Sequence, residues 1–337
     1  TAAVPYKNST LPIAQLYDSE AVKNGAYLLN DITSGSDSYT ASTTTGAAFA
    51  MLDNRFSERL RLVWGSRVEY FNLQLNSKLS GKSLNVDTTW LDILPSANLT
   101  YALTEKANFR ASYYRTVARP ELREIAPFAY YDYEMSALIN GNPRLTRTQI
   151  NNADLRYELY PNNGEVISGS VFYKHFTNTI ENEVYSSGIS TFEIKPNNYK
   201  SAYNVGVEGD IRKSLAFIAP SSFLQRMTFY TNAAYIKSMV QDTTKGAQDR
   251  PLTGQSGYVL NSSLTYAAEN NKVSFTLMFN RIGQRIYLVG QGGGSTGFML
   301  GNVYERPRNL LDLQVTYNIS KNSELRASVK DLLNAPV

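Results

Sequence analysis

Cysteine is absent from the 337 residues, and histidine occurs once, as His175. The first absence excludes disulfides, thiol catalysis and cysteine-ligated metals, and it suits a chain that crosses an oxidising compartment. No stretch approaches the ~18 consecutive apolar residues of a transmembrane helix. That leaves room for a β-barrel, which crosses the bilayer with alternating residues and so carries a weak hydropathy signal. Basic runs are absent too. The 33 Lys and Arg stand against 29 Asp and Glu, a net charge of +4 spread along the chain, so no nucleic-acid partner is expected.

What the chain has in abundance is tyrosine, 24 of them, within an aromatic share of 12%. Together with many Thr, Ser and Asn, this is the composition of strands and polar loops rather than of helices. Period-two alternation dominates. In ERLRLVWGSRVEYFN (58–72), Leu60, Leu62, Trp64, Val68 and Tyr70 share one parity, and Arg61, Gly65, Arg67 and Glu69 the other. A strand gathers those charges on one face, whereas a helix would scatter them around its axis. Asp154, Arg156 and Glu158 likewise oppose Leu155, Tyr157 and Leu159, while Glu208, Asp210 and Arg212 oppose Val205, Val207 and Ile211. In SELRASVKD (323–331), Leu325, Ala327 and Val329 oppose Glu324, Arg326, Ser328 and Lys330. A cation on the lipid-facing midplane costs about 2–4 kcal/mol, so the charged parity is expected to face a lumen.

Short links near 55–58, 104–106, 161–164, 219–222, 268–271 and 320–322 alternate with long polar links near 77–86, 119–145, 182–197, 241–255 and 288–305. The pattern predicts an all-β, transmembrane, antiparallel up-and-down β-barrel with about twelve strands of roughly 12–18 residues, far longer than soluble strands. Aromatics near the short links, among them Phe56, Tyr101, Tyr160, Phe217, Phe223, Tyr266 and Tyr317, predict a girdle at one membrane interface.

Several segments, taken in order, resemble the barrel of TonB-dependent outer-membrane receptors, particularly the large Bacteroidetes-type branch. They are SYTASTTTGAAFAMLDNRFSERLRLVWGSRVEYFN (38–72), YYRTVARPELREIAPFAYYDYE (113–134), INGNPRLTRTQINNADLRYELYPNNGEVISGSVFYKHFTNTIE (139–181), YNVGVEGDIR (203–212) and VKDLLNAPV (329–337). The resemblance implies the C-terminal portion of a 22-stranded barrel that encloses an N-terminal plug. Residues 1–36 then form an extracellular loop segment, with room for a short helix within 11–29, and residues 37–337 the partial barrel. The strand at 323–332 is expected to pair with a strand from elsewhere in the parent chain, since an open edge is not tolerated in lipid. The implied function is energised uptake, across the outer membrane of a Gram-negative bacterium, of a scarce nutrient such as a siderophore, glycan or peptide. The implied partners are outer-membrane lipid, the plug and remaining strands, the TonB complex through the plug, and a surface lipoprotein where one exists. No cofactor and no covalent chemistry are implied.

Within that frame Tyr130, Tyr131 and Tyr133, with Asn140 and Asn142, are the candidate ligand contacts, because tyrosine offers rigid contact area with a polar tip. Arg61, Arg67, Glu69, Arg119, Glu121, Arg156, Glu158, Glu208, Asp210 and Arg212 are the candidate lumen or plug-facing charges. Arg119 and Glu121 are expected to hold the plug by charge-assisted bonds that later break. No acidic spacing matches a metal loop, so no metal is expected. GQGGGSTG (290–297) lacks the lysine of a phosphate loop. Two rival readings stay open: a passive porin or binding barrel, and a hydrolase centred on His175. For the latter, Ser168 and Ser170 lie on the wrong parity, and a serine would have to come from a neighbouring strand. The full-length protein in detergent is expected to give a β-dominated far-UV circular dichroism spectrum. A helix-dominated one would exclude the barrel.

Overall fold

The computed structural model describes residues 38–79, 82–186, 192–241, 249–268, 272–291 and 300–335. The expected loop segment 1–36, with its helix, and most of the glycine-rich stretch 290–297 lie outside the described residues. Twelve strands follow one another in a single antiparallel meander: β1 (Tyr39–Arg55), β2 (Leu60–Leu79), β3 (Lys82–Thr104), β4 (Ala107–Ala118), β7 (Thr148–Leu159), β8 (Val166–Ser186), β9 (Phe192–Ser214), β10 (Met227–Gln241), β11 (Tyr258–Ala267), β12 (Val273–Ile282), β15 (Arg308–Ser320) and β16 (Ser323–Val329). Four short strands stand off this path: β5 (Ala129–Asp132), β6 (Ala137–Asn140), β13 (Arg285–Gly290) and β14 (Val303–Glu305). Among the described residues helix is confined to single turns, including α1 (Leu122–Ile125) and α2 (Ser222–Gln225).

The register brings like faces together across the whole sheet. Leu62 pairs with Leu99, then Ala111, Leu155, Val171, Val207, Tyr235 and Tyr258, an apolar row that crosses eight strands. Three residues along each strand, on the other face, Glu158 stands beside Asn108 and Ser168, followed by Asp210, Asn232 and Asn261. The apolar face carries the exposed large side chains, among them Trp64, Leu91, Ile93, Leu155, Val207 and Leu325. Their solvent is lipid. From Leu60 to Tyr70 the apolar face of β2 runs about 33 Å along the strand, hence about 25 Å in height at a barrel tilt of about 40°.

Two of the long polar links are strand instead. β2 and β3 stay paired as far as Leu79 with Lys82, and β8 and β9 as far as Ser186 with Phe192, so 77–86 and most of 182–197 are hairpin rather than loop. The strands accordingly reach 23 residues. The polarity that reads as loop is an outer face that has left the bilayer: Asn72 and Gln74 both donate to Asp87 where Trp64 and Tyr70 lie on the same face lower down. The link near 219–222 is also longer than a tight turn, with a 3-10 turn at Leu215–Phe217 and α2 between β9 and β10.

Beyond the barrel wall, the segment between β4 and β7 folds back onto the tall hairpins. Ile125, Ala126 and Leu145 bury against Leu73 and Leu75 of β2. β6 adds in parallel to β9, β13 adds in parallel to β8, and Ala137, Val184, Ile194 and Leu288 pack where these pieces meet. Gly141 is where this segment crosses itself, since a Cβ there would overlap the carbonyl oxygen of Ala126. Gly141→Ala is therefore expected to cost about 1–3 kcal/mol locally. Limited proteolysis should cut the 119–147 segment faster while the barrel keeps its heat-modifiable gel migration. Unchanged proteolysis would show that the crossing is not tight.

Candidate ligand-binding site

Glu69 and Asp92 stand directly opposite each other on β2 and β3, an unfavourable pairing of like charges unless cations bridge them. Arginines do so. Arg119 Nη2 donates to Glu69 Oε2 at 2.9 Å and to Asp92 Oδ2 at 3.1 Å, Arg147 Nε donates to Asp92 Oδ1 at 2.6 Å, and Arg67 Nε to Glu69 Oε1 at 2.6 Å. The next opposed pair, Phe71 and Trp90, stacks at 5.7 Å and carries the same guanidiniums: Arg119 lies 4.6 Å from the Phe71 ring and Arg147 5.4 Å from that of Trp90. Asp92 is buried. With both oxygens bonded to arginine, its charge is tolerable there.

A second polar cluster lies on the same face of the sheet. Arg156 donates to Asp210 and Ser168 at 2.8 Å each and to Glu158 at 3.1 Å; Arg110 also reaches Glu158 at 2.8 Å. Asn232 donates to Glu208 at 2.7 Å and to Asp210 at 2.6 Å. Arg61 pairs with Asp53 near the short turn, and Arg212 has no bonded side-chain partner among the described residues. Glu121 joins neither cluster. It opens α1, where its backbone N–H donates to Glu124 Oε2 at 2.8 Å, and burial holds the Glu124 carboxyl above its ordinary range despite that bond.

Above these clusters opens a polar cleft of ≈ 1000 Å³ between β3 near Asp87, the 140–144 segment, and the outer ends of β8 and β9. Asn140 and Asn142 line it, as does Arg144. Asn140 Nδ2 donates to Glu193 Oε1 at 2.6 Å, and Asn142 Nδ2 to the Pro196 carbonyl at 3.1 Å. Tyr130, Tyr131 and Tyr133 do not line it. Tyr130 lies under Arg123, 3.9 Å from its guanidinium, while Tyr131 and Tyr133 meet edge to face at 5.0 Å and Tyr133 is 80% exposed. The cleft instead takes its aromatic from Tyr185, whose hydroxyl donates to buried Glu183. Tyr199 and Gln291 donate to the same carboxylate. Glu183, Tyr185, Glu193 and Lys195 fall in the stretch that reads as loop; the alternation in ENEVYS (181–186) is the signal that marks them as one strand face. Among the described residues the Lys195 ammonium and the Arg144 guanidinium have no bonded partner, whereas the carboxylates of Asp87, Glu183 and Glu193 accept amide or hydroxyl donors.

Next to this wall, Arg250 donates to Glu181 at 2.7 Å, the Thr253 amide donates to the same carboxylate at 2.6 Å, and the Arg250 guanidinium sits 4.7 Å from the Tyr199 ring. His175 finds a serine on the neighbouring strand, Nε2 lying 3.1 Å from Ser201 Oγ. The side-chain oxygen of Asn151, in register with His175, accepts from Tyr113 and Arg115, and among the described residues no third group is bonded to the His175 ring. No cluster of metal-ligating side chains occurs among the described residues.

Residues 6–332 match the family model for the TonB dependent receptor-like β-barrel. No curated protein matches the chain. Among solved structures, a variant of the ferric enterobactin receptor PfeA of Pseudomonas aeruginosa aligns with a TM-score of 0.54 at 20% identity, over 88% of this chain and 48% of that one. The siderophore receptor PiuA of Acinetobacter baumannii aligns at 0.60 and 12% identity, over 88% and 40%, and the ferric-catecholate import receptor Fiu of E. coli at 0.58 and 15%, over 88% and 41%. This chain thus spans less than half the length of these structures, and at such identities the likeness is one of fold. The extent of the family match and the continuous antiparallel pairing of twelve strands agree: the chain belongs to the TonB-dependent receptor β-barrel family and resides in the outer membrane of a Gram-negative bacterium.

Proposed function

We propose that this chain is the barrel portion of an energised uptake receptor, in which the polar cleft captures a scarce nutrient and the polar face of the sheet lines the lumen. One observation carries the reading. The segment 140–147 holds cleft residues at one end, Asn140, Asn142 and Arg144, and at the other Arg147, bonded to Asp92 at the centre of the first charge cluster. Three residue steps, a span of at most about 10 Å, separate Arg144 from Arg147. A ligand that draws on Arg144 therefore pulls on the segment that anchors the cluster beneath it.

In this scheme Arg61, Arg67, Glu69, Arg119, Arg156, Glu158, Glu208, Asp210 and Arg212 form the lumen wall, and Glu121 the entrance above it. The wall meets a plug through charge-assisted hydrogen bonds. Such bonds are strong in place, yet each end can be taken up by water or a neighbouring ion when the plug is pulled through the TonB complex. A surface lipoprotein, where one exists, would add to the outer loops. The walls of the cleft are rich in amides and hydroxyls and carry both signs of charge, which suits a hydroxylated ligand: a siderophore, a glycan or a glycosylated peptide. Tyr130, Tyr131 and Tyr133 are then contacts for a ligand or partner at the outer rim rather than in the cleft.

Energy coupling separates this reading from a passive barrel. In cells that depend on the full-length protein for growth on a limiting nutrient, collapsing the proton-motive force or deleting TonB is expected to abolish uptake while leaving surface binding. Uptake that persists would identify a passive channel. A second test addresses the charge cluster. Asp92→Asn leaves Arg147 without its carboxylate and Arg119 with Glu69 alone, and is expected to destabilise this region by roughly 3–5 kcal/mol. The measurement is loss of folded, heat-modifiable protein with rising temperature, and wild-type behaviour would show that the cluster is not cooperative.

A further inference from the structure

The segment between β4 and β7 carries four arginines, and they divide into two pairs. Arg119 and Arg147, at its ends, bind Glu69 and Asp92 of the wall. Arg123 and Arg144, inside them in sequence, have no hydrogen bond or ion pair to any described residue. The acids of the same segment do not answer them. Glu124 accepts the Glu121 N–H, Asp132 accepts the N–H groups of Glu134 and Met135, and Glu121 and Glu134 are exposed.

Arg123 is nevertheless held in place. Its guanidinium lies 4.0 Å from the Phe128 ring and 3.9 Å from that of Tyr130. Phe128 is itself fixed against the Leu73 and Leu145 cluster and lies 5.6 Å from the Tyr39 ring. Ring contact covers the flat faces of a guanidinium and leaves its N–H edge free. That edge reaches solvent, since no nitrogen of Arg123 is buried. A planar donor fork, fixed by rings and lacking an acceptor, is arranged to take a carboxylate in two parallel bonds.

Two further cations stand nearby in the same condition. The Asn142 N–H donates to the Glu124 carbonyl at 2.6 Å, so the Cα atoms of Arg123 and Arg144 are at most about 17 Å apart. Arg144 lines the cleft and is exposed. Lys195, on the opposite wall, is directly opposite Glu183 in register, yet Glu183 accepts from Tyr185, Tyr199 and Gln291 instead. Glu193 is likewise taken by Asn140. Neutral donors thus occupy the acids, and the cations are left open.

We propose that the ligand of the cleft is an acidic oligosaccharide, whose carboxylates meet Lys195 and Arg144 within the cleft and Arg123 beside it. This rests on the uptake reading and narrows its ligand. An extended ligand is needed to meet all three cations, because Arg123 lies outside the cleft, one turn from the lining residue Pro127. Sugar hydroxyls suit the rest of the wall, where Asn85, Asn140 and Asn197 can donate and accept and Asp87 can accept. An acidic peptide has few hydroxyls to offer those groups.

The test titrates the purified full-length receptor in detergent with hexasaccharides of galacturonate, mannuronate and glucuronate, each beside its neutral methyl ester. At least one acid is expected to bind at least about tenfold more tightly than its ester, and to weaken as salt rises. Arg123→Gln should weaken that binding roughly tenfold, and Arg123→Lys nearly as much, because lysine keeps the charge without the planar fork. A purely electrostatic role would leave Arg123→Lys near wild type and overturn the assignment of the fork. Should the Arg123 variants lose heat-modifiable migration, Lys195→Gln is read instead, with about tenfold loss expected. The proposal fails if no acidic hexasaccharide binds, if wild type and variants bind alike, or if hexaglutamate binds more tightly than every sugar. Equal binding of acids and esters would overturn the acidic class and leave the uptake reading standing. That reading fails separately, by uptake that survives deletion of TonB.

Discussion

The structure depends on one constraint: inside the hydrocarbon, no backbone N–H or C=O can be left without a partner. Each unsatisfied group costs several kcal/mol where there is no water to take its place. A ladder of antiparallel strands meets that demand residue by residue, and the twelve-strand meander does so with register unbroken over most of its pairs. Once the backbone is committed to the ladder, side chains have only two directions to point. Everything else in the wall follows from this. Apolar side chains go to lipid, and the charges go to the other face, where Arg156 can serve Glu158, Ser168 and Asp210 at once.

Those charges gain from being crowded. Glu69 opposite Asp92 and Arg110 opposite Arg156 are like-charge pairs forced by the register; arginines from beyond the two strands bridge the first, and Glu158 of β7, with Asp210 of β9 on Arg156, resolves the second. Arg119 and Arg147 flank the outer segment and bind the first pair, so the fold of that segment and the ionic state of the wall are one problem rather than two. Removing a single partner leaves a charge with too little water to solvate it. This is the physical basis for treating the cluster beneath the cleft as a mechanical link rather than as decoration of the lumen.

The wall was legible in the sequence because lipid enforces alternation at every step, as between Leu60 and Tyr70. The outer hairpins were less so because the enforcing solvent changes. Above Tyr70 the formerly lipid-facing positions are Asn72, Gln74 and Asn76, while the opposite parity turns apolar at Leu73 and Leu75 to receive Ile125 and Leu145. The alternation persists with its meaning inverted, and a polar average over 77–86 reads as loop. The same inversion hides Glu183 and Tyr185 in 182–197. Asn140 and Asn142 were legible as turn-rich polar residues beside Gly141, but nothing in the chain tells where Tyr130, Tyr131 and Tyr133 point once the segment folds back.

Above the membrane the edge problem returns in another form. β8 continues to Ser186 although its partner β7 reaches only Thr177, and β9 begins at Phe192 although β10 joins it only at Ser201. Water can satisfy such edges, but a bare strand edge invites pairing with another chain. The fold covers both: β13 docks in parallel beside Glu183 and Val184, and β6 beside Phe192 to Ile194. Covering the β8 edge brings Gln291 onto Glu183, and covering the β9 edge brings Asn140 onto Glu193. The two strands that silence the edges thus also fix the carboxylates of the cleft. A tall hairpin left unsupported by the barrel becomes a rigid wall by the same contacts that keep it from aggregating.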